Sequence, residues 1–239
     1  MLKVAIWPSF TNKSLLEIKR DAGKWTLLVT KQSYGEGDFN DPGGIWIKND
    51  LDTQLSEKLI SKSKEIIIDP QSDLRVILDG VSVVLTLKQD NEEIKSEFRS
   101  PVPESKEQQF VYDLIELVKT NINDIECLDY IELLEQYFFE VSPIKEFNET
   151  QYRLKLVGGL SINDKSELEL KFKTLRSRQN PVIDMTNFFS IGRALDECFL
   201  DIQKLKGLTV LANKYAHLYL TEIGFDSRKI KLKRTPNNV

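Results

Sequence analysis

The chain has 239 residues, 41% of them hydrophobic and 29% charged, with a formal net charge of −4. That composition is ordinary for a soluble globular protein and leaves room for one large or two modest domains, each with a real core. The acidic balance argues against a nucleic-acid binder, because phosphate affinity comes from clustered Lys and Arg, and no apolar run reaches the roughly 18 residues of a membrane span.

The amino terminus, Met1 to Phe10, is expected not to be a secretory signal, since its apolar run is short and soon interrupted. Lys24 to Lys31 reads as a strand, followed by a turn-rich loop from Asp38 to Gly44 built around Asp41-Pro-Gly-Gly. Ile45-Trp46-Ile47 resumes a short strand. Leu51, Leu55, Leu59 and Ile60 then place a short helix over residues 51–63, and Ile66 to Ile68 closes on the stop signal Asp69-Pro70. Leu74 to Leu78 and Val81 to Leu87 flank Asp79-Gly80, the dipeptide favoured in a two-residue hairpin turn. A second turn at Gln89 to Glu92 leads into a third antiparallel strand, Ile94 to Phe98.

Ser100-Pro-Val-Pro breaks this sheet before a helix expected from about Glu104 to Thr120, with Phe110, Leu114, Leu117 and Val118 on its apolar stripe. A further helix, about Asp124 to Phe139, takes Asp124 as N-cap and repeats Ile125, Leu128, Ile131, Leu134 and Phe138 inward. Glu126, Asp129, Glu132, Glu135 and Glu140 lie off that stripe, with no lysine or arginine between them. Ser142-Pro143 ends the helix, residues 144–150 read as a linker, and a domain boundary falls near 141–151.

From Tyr152 to Ile230 short apolar runs alternate with amphipathic segments: Tyr152 to Gly158, Pro181 to Met185 and Gly207 to Ala212, each followed by a helical pattern. This is the βαβαβα order of a small α/β sandwich. The expected fold class is therefore α/β (α+β overall). Residues 1–141 hold an antiparallel sheet with helices, and residues 151–232 a small mixed sheet. The basic tail, with Arg228, Lys229, Lys231, Lys233 and Arg234, reads as a solvated terminus.

The pattern of this last third resembles the sulphate-transporter and anti-sigma-factor-antagonist (STAS) domain. The residues concerned are Arg153-Leu-Lys-Leu-Val-Gly158, Val182-Ile-Asp-Met185, Ser190 before Ile191-Gly192, Leu208-Thr-Val-Leu211 and Leu220-Thr-Glu-Ile-Gly-Phe225. The resemblance implies a regulatory partner protein and a serine at the loop after the second strand. In the family that loop reads Asp-Ser-Ser/Thr-Gly and its serine or threonine is phosphorylated. Here it reads Asn187-Phe-Phe-Ser-Ile-Gly-Arg193. Ser190 is accordingly expected to be a helix N-cap first, and a modification or ligand-loop residue, with Asp184 and Asn187, second.

The inventory of chemistry is thin. His217 is the only histidine, which removes multi-histidine schemes and most metal sites, so no metal is expected. Cys127 and Cys198 sit in apolar helical patterns and read as buried free thiols of a cytoplasmic protein. Neither Gly43-Gly44 nor Gly158-Gly159 has the spacing of a phosphate-cradling loop, and no cofactor is expected. Asp184, read as the carboxyl end of a buried strand, occupies a position where α/β sheets place functional groups; the simpler role is a hydrogen bond to its own loop.

The favoured reading is a non-enzymatic protein-binding module, either a cytoplasmic regulator or a toxin inhibitor of the immunity kind. It would bind another protein, a basic one in the toxin-inhibitor case, through Glu126, Asp129, Glu132 and Glu135, with Trp46 (beside Tyr34 and Phe39) as an aromatic anchor. The alternatives are a small-ligand or enzymatic site near Asp184 and Ser190 in a cleft between the two parts, and a structural subunit of a larger assembly. No nucleic acid or membrane insertion is expected; sequence leaves the oligomeric state open.

Overall fold

The computed structural model describes residues 1–9, 11–32, 42–70, 80–89, 92–139, 141–148 and 151–233. The chain separates into two compact units, Met1–Glu140 and Val141–Val239, each with its own hydrophobic core. The fold is α/β, and no helix among the described residues is long and apolar enough to cross a membrane.

Among the described residues the first unit is built on six antiparallel strands: β1 Leu2–Pro8, β2 Ser14–Asp21, β3 Lys24–Gln32, β4 Pro42–Asn49, β5 Val81–Gln89 and β6 Glu92–Arg99. Their order across the sheet is β4-β3-β2-β1-β5-β6. Strict alternation sets the inner face: Leu2, Val4 and Ile6 of β1 are buried, as are Leu16 and Ile18 of β2 and Leu27 and Val29 of β3. Three helices complete this core: α1 Thr53–Ile68, α2 Lys106–Asn121 and α3 Ile125–Phe138. The β2–β3 hairpin turns through Ala22 and Gly23, both at positive φ (46° and 85°), the geometry of a tight two-residue hairpin turn.

Strands β1 and β2 were not anticipated, although their alternation of apolar and polar residues is regular. β4 starts at Pro42, so the glycine pair expected in a loop is strand. The triplet Ile66 to Ile68, expected as a separate closing segment, is the last turn of α1, which stops at Asp69 because Pro70 disfavours helical geometry in the residue before it. α2 and α3 lie where expected. Asp124 caps α3 by accepting the N–H groups of Glu126 and Cys127 at 2.9 and 3.0 Å. Ile94 to Phe98 forms part of β6, antiparallel to β5. The expected strand 74–78 with its turn at Asp79, as well as Tyr34, Phe39, Asp41, Glu140 and Arg234, lies outside the described residues.

The second unit carries the alternation read from the sequence, extended at both ends. Its elements are β7 Ile144–Asn148, β8 Tyr152–Leu160, α4 Lys165–Arg176, β9 Val182–Ile191, α5 Asp196–Ile202, β10 Thr209–Ala212, α6 Lys214–Glu222 and β11 Ile230–Leu232. Residues 144–148, expected to be linker, are instead a strand pairing antiparallel with β8, in which Ile144 stands opposite Leu156. Residues 230–232, expected to be a solvated tail, pair in parallel with β10.

The strand order β11-β10-β9-β8-β7 advances without reversal. Right-handed crossovers between such strands put every helix on the same face of the sheet. Edge-on aromatic contacts running Phe172 (α4) to Phe199 (α5) to Tyr219 (α6), with ring centres 5.5 and 6.0 Å apart, confirm that packing.

Candidate functional site

Asp184 is the most deeply buried charged side chain among the described residues of the second unit. Its neighbours Ile183 and Met185 face the helices and belong to the core, so Asp184 points to the opposite side of the sheet, where its strand partner is Lys155. A break in strand register follows Asp184 directly. Between Lys155 and Val157 of β8, strand β9 advances from Asp184 to Asn187, one residue more than its neighbour. The Asp184 carboxylate closes that bulge on itself. Its Oδ1 accepts the N–H and the hydroxyl of Thr186 at 3.0 and 2.7 Å, while its Oδ2 accepts Nη2 of Arg153. Burial alone would raise this carboxyl, but the Thr186 bonds and the Arg153 guanidinium outweigh it and hold the group below the usual carboxylate range. A carboxylate so held is neither a proton donor near neutral pH nor an open acceptor.

Two positional expectations are corrected here. β9 does not end near residue 185; it continues to Ile191, so Asp184 is the third residue of a ten-residue strand, far from its carboxyl end. Ser190 likewise lies inside β9 and caps no helix. Helical geometry begins only at Arg193, after Gly192, with no side-chain cap. Ser190 is exposed and crosses the neighbouring strand, its Oγ lying 2.6 Å from where a Cβ on Gly159 would stand. The glycine makes room for the serine at a second register shift between β8 and β9. Asn187 is half-buried opposite Val157.

Asn213, which sequence reasoning passed over, joins three elements. Its Oδ1 accepts the N–H of Ala216 at 2.9 Å as the N-cap of α6, and its Nδ2 donates to the carbonyls of Thr186 and Phe188 at 3.0 and 2.5 Å. Those carbonyls lie on β9 beyond Met185, where its pairing with β10 ends at Ala212, so one amide meets backbone groups past the end of that ladder. An Asn directly after the apolar run Thr209 to Ala212 and before a helical pattern was the available signal.

On α3 the acidic residues are spaced by threes, and each step of three falls 60° short of a full turn. Glu126, Asp129, Glu132 and Glu135 therefore wind across half the circumference of the helix and do not stand in one row. Glu126, at the start, is exposed; Asp129, Glu132 and Glu135 are half-buried. Glu135 meets Lys119 of α2 at 2.5 Å. Burial works against the Lys119 ammonium, but its bonds to Glu135 and Glu116 hold it above the usual lysine range. Near Glu126, Lys31 of β3 lies 5.6 Å from the Tyr130 ring centre; burial lowers its pKa and the Glu126 charge partly offsets this. Beside Glu126 at the first turn stands Ile125, 69% exposed. Trp46 is on β4, its indole half-buried against the first core and lying along Gly44.

The remaining nucleophile candidates are inert in their surroundings. Burial, with Asp124 adding to it, pushes the Cys127 thiol up to about 12. Cys198 lies 3.8 Å from Glu169 Oε1, and burial and that carboxylate both raise it. His217 lies on α6, where its backbone N–H bonds Asn213. Among the described residues no group of His, Cys, Asp and Glu is arranged to hold a metal ion. No protein-family model, no curated protein and no solved structure matches this chain.

Proposed function

We propose that this chain is a non-enzymatic protein-binding module whose partner is basic, acting in the cytoplasm as a regulator or as the inhibitor of a toxin. The observation that carries the reading is α3, which holds four carboxylates and no basic residue and presents exposed Glu126 beside exposed Ile125. A carboxylate next to a solvent-facing aliphatic side chain offers both long-range attraction and a desolvated contact. The buried, fully bonded state of Asp184 favours this reading over a small-ligand or enzymatic one, because the group best placed for chemistry is occupied in holding its own strand. A STAS-like regulatory role draws support from the strand–helix repeat of the second unit; Ser190, exposed on β9, is the position where modification would act in that case.

The test is capture of partners from native extract at low ionic strength, with the whole chain compared with a Glu126→Lys/Asp129→Lys variant. A stoichiometric basic partner, lost from the variant and weakened by added salt, is the expected result. Capture unchanged by the charge reversal would remove α3 from the interface and end this reading.

A further inference from the structure

We propose that two copies of this chain pair antiparallel along β4, about a two-fold axis through Trp46, joining their six-stranded sheets into one. The two edges of the sheet differ. β6 is guarded by Glu92, Glu93, Lys95, Glu97 and Arg99, five charges in eight residues, the usual protection against edge-to-edge association. β4 has one charge, Lys48, and presents Ile45 and Ile47 to solvent at 53% and 60% exposure on the face away from the core. Beneath them in the register lie Thr30 and Leu28 of β3.

What commits this edge to a second copy is that β4 is complementary to itself. With the axis at Trp46, each Ile45 stands directly opposite Ile47 of the second copy, so four isoleucines close into one cluster on the outer face. Such β-branched pairs are favourable cross-strand neighbours. On the inner face Lys48 falls opposite Gly44 of the second copy. The space above Gly44 is filled by the indole of Trp46: a Cβ there would lie 2.4, 2.8 and 3.1 Å from three ring carbons. Each Lys48 therefore arrives over the other copy's indole, an ammonium on an aromatic face. Lys48 has no ion pair among the described residues. Asn49 meets Gly43, and no like charges face each other.

Neighbouring registers lose this fit. An axis at Ile45 would drive each Trp46 onto a Gly44 already covered by the other ring. An axis at Ile47 would set each Ile45 against Asn49. A closed, isologous contact of this kind yields a dimer and stops there, because the second edge of each sheet is guarded.

The experiment is sedimentation equilibrium of the full chain over a wide concentration range, for the native protein and for Ile47→Lys. Residue 47 is exposed, so the fold is expected to survive the change, checked by circular dichroism. The native chain is expected to be a dimer, with Ile47→Lys at least tenfold weaker in association. Cysteine pairing fixes the register independently of that variant. Ile45→Cys mixed with Ile47→Cys is expected to cross-link on oxidation, whereas each alone is not, since like positions would stand beyond the roughly 7 Å limit of Cα atoms that a disulfide can bridge. A monomer at every concentration, a dimer indifferent to Ile47→Lys, or cross-linking of either variant alone would each overturn the proposal.

Discussion

Replacing Asp184 by Ala separates a structural from a chemical role for this residue. The substitution removes the acceptor for the Thr186 N–H, the Thr186 hydroxyl and the Arg153 guanidinium together. Arg153 is 42% exposed at its side chain, so water recovers much of its lost bond and that part is small. The Thr186 N–H sits in the bulge, where an unsatisfied backbone donor costs about 1–3 kcal/mol. Adding the lost hydroxyl bond and the hole left by the carboxylate gives a total of about 3 kcal/mol. For a unit of this size that lowers the melting temperature by roughly 10–20 °C. All three tryptophans, Trp7, Trp25 and Trp46, lie in the first unit, so their fluorescence reports on that unit alone while far-ultraviolet dichroism reports on both. The expected result is an early loss of dichroism with no shift in the tryptophan transition. The effect also has a pH signature. The folded carboxyl is held below its unfolded value of about 3.9, so its contribution is complete above that value and fades as pH falls through the folded one. Native and Asp184→Ala chains should therefore converge in stability at acid pH. Equal melting at neutral pH would refute this account of Asp184.

Asn213→Ala removes an N-cap and the donor to two strand carbonyls, and should cost about 2–3 kcal/mol, read as the same dichroism-only transition; Asn213→Ser, which keeps the cap and loses the donor, should recover part of it. Gly44→Ala forces the Trp46 indole off the strand and should shift tryptophan emission to longer wavelength, at a cost of about 1–3 kcal/mol to the first unit. Neither Cys127 nor Cys198 should react with an aromatic disulfide at pH 8 until the protein is unfolded in denaturant.

The sequence made the helices and the repeating order of the second unit legible because those signals are local. A 3.6-residue stripe in α2 and α3, and an Asp at the N-cap of α3, need no knowledge of neighbours. Strand pairing is different. β7 looks like a linker until Ile144 meets Leu156, and β11 looks like a charged tail until Ile230 meets Val210. Register shifts are harder still. The bulge beside Asp184 depends on how β9 advances against β8, so the run Val182 to Met185 reads alone as a whole strand and places its end six residues early. The acidic residues of α3 are visible in the sequence, but their spacing by threes makes a winding stripe and not a face.

Among the described residues of the second unit, polar groups at the carboxyl ends of the strands are committed to structure. Pockets of the usual α/β kind open where strand order reverses and successive loops diverge. Here the order runs β11-β10-β9-β8-β7 without reversal, and polar groups near the carboxyl ends of β8 and β10 are engaged in capping. Ser161 and Asp164 close a capping box on each other, and Asn213 caps α6 while holding two carbonyls of β9. A ligand at that rim would compete with the bonds that finish the strands. Ile45 and Ile47 of β4 and Glu126 of α3 face solvent. They stand on regular elements whose backbone a neighbouring protein can engage without disturbing the fold, and it is at these surfaces that binding experiments should begin.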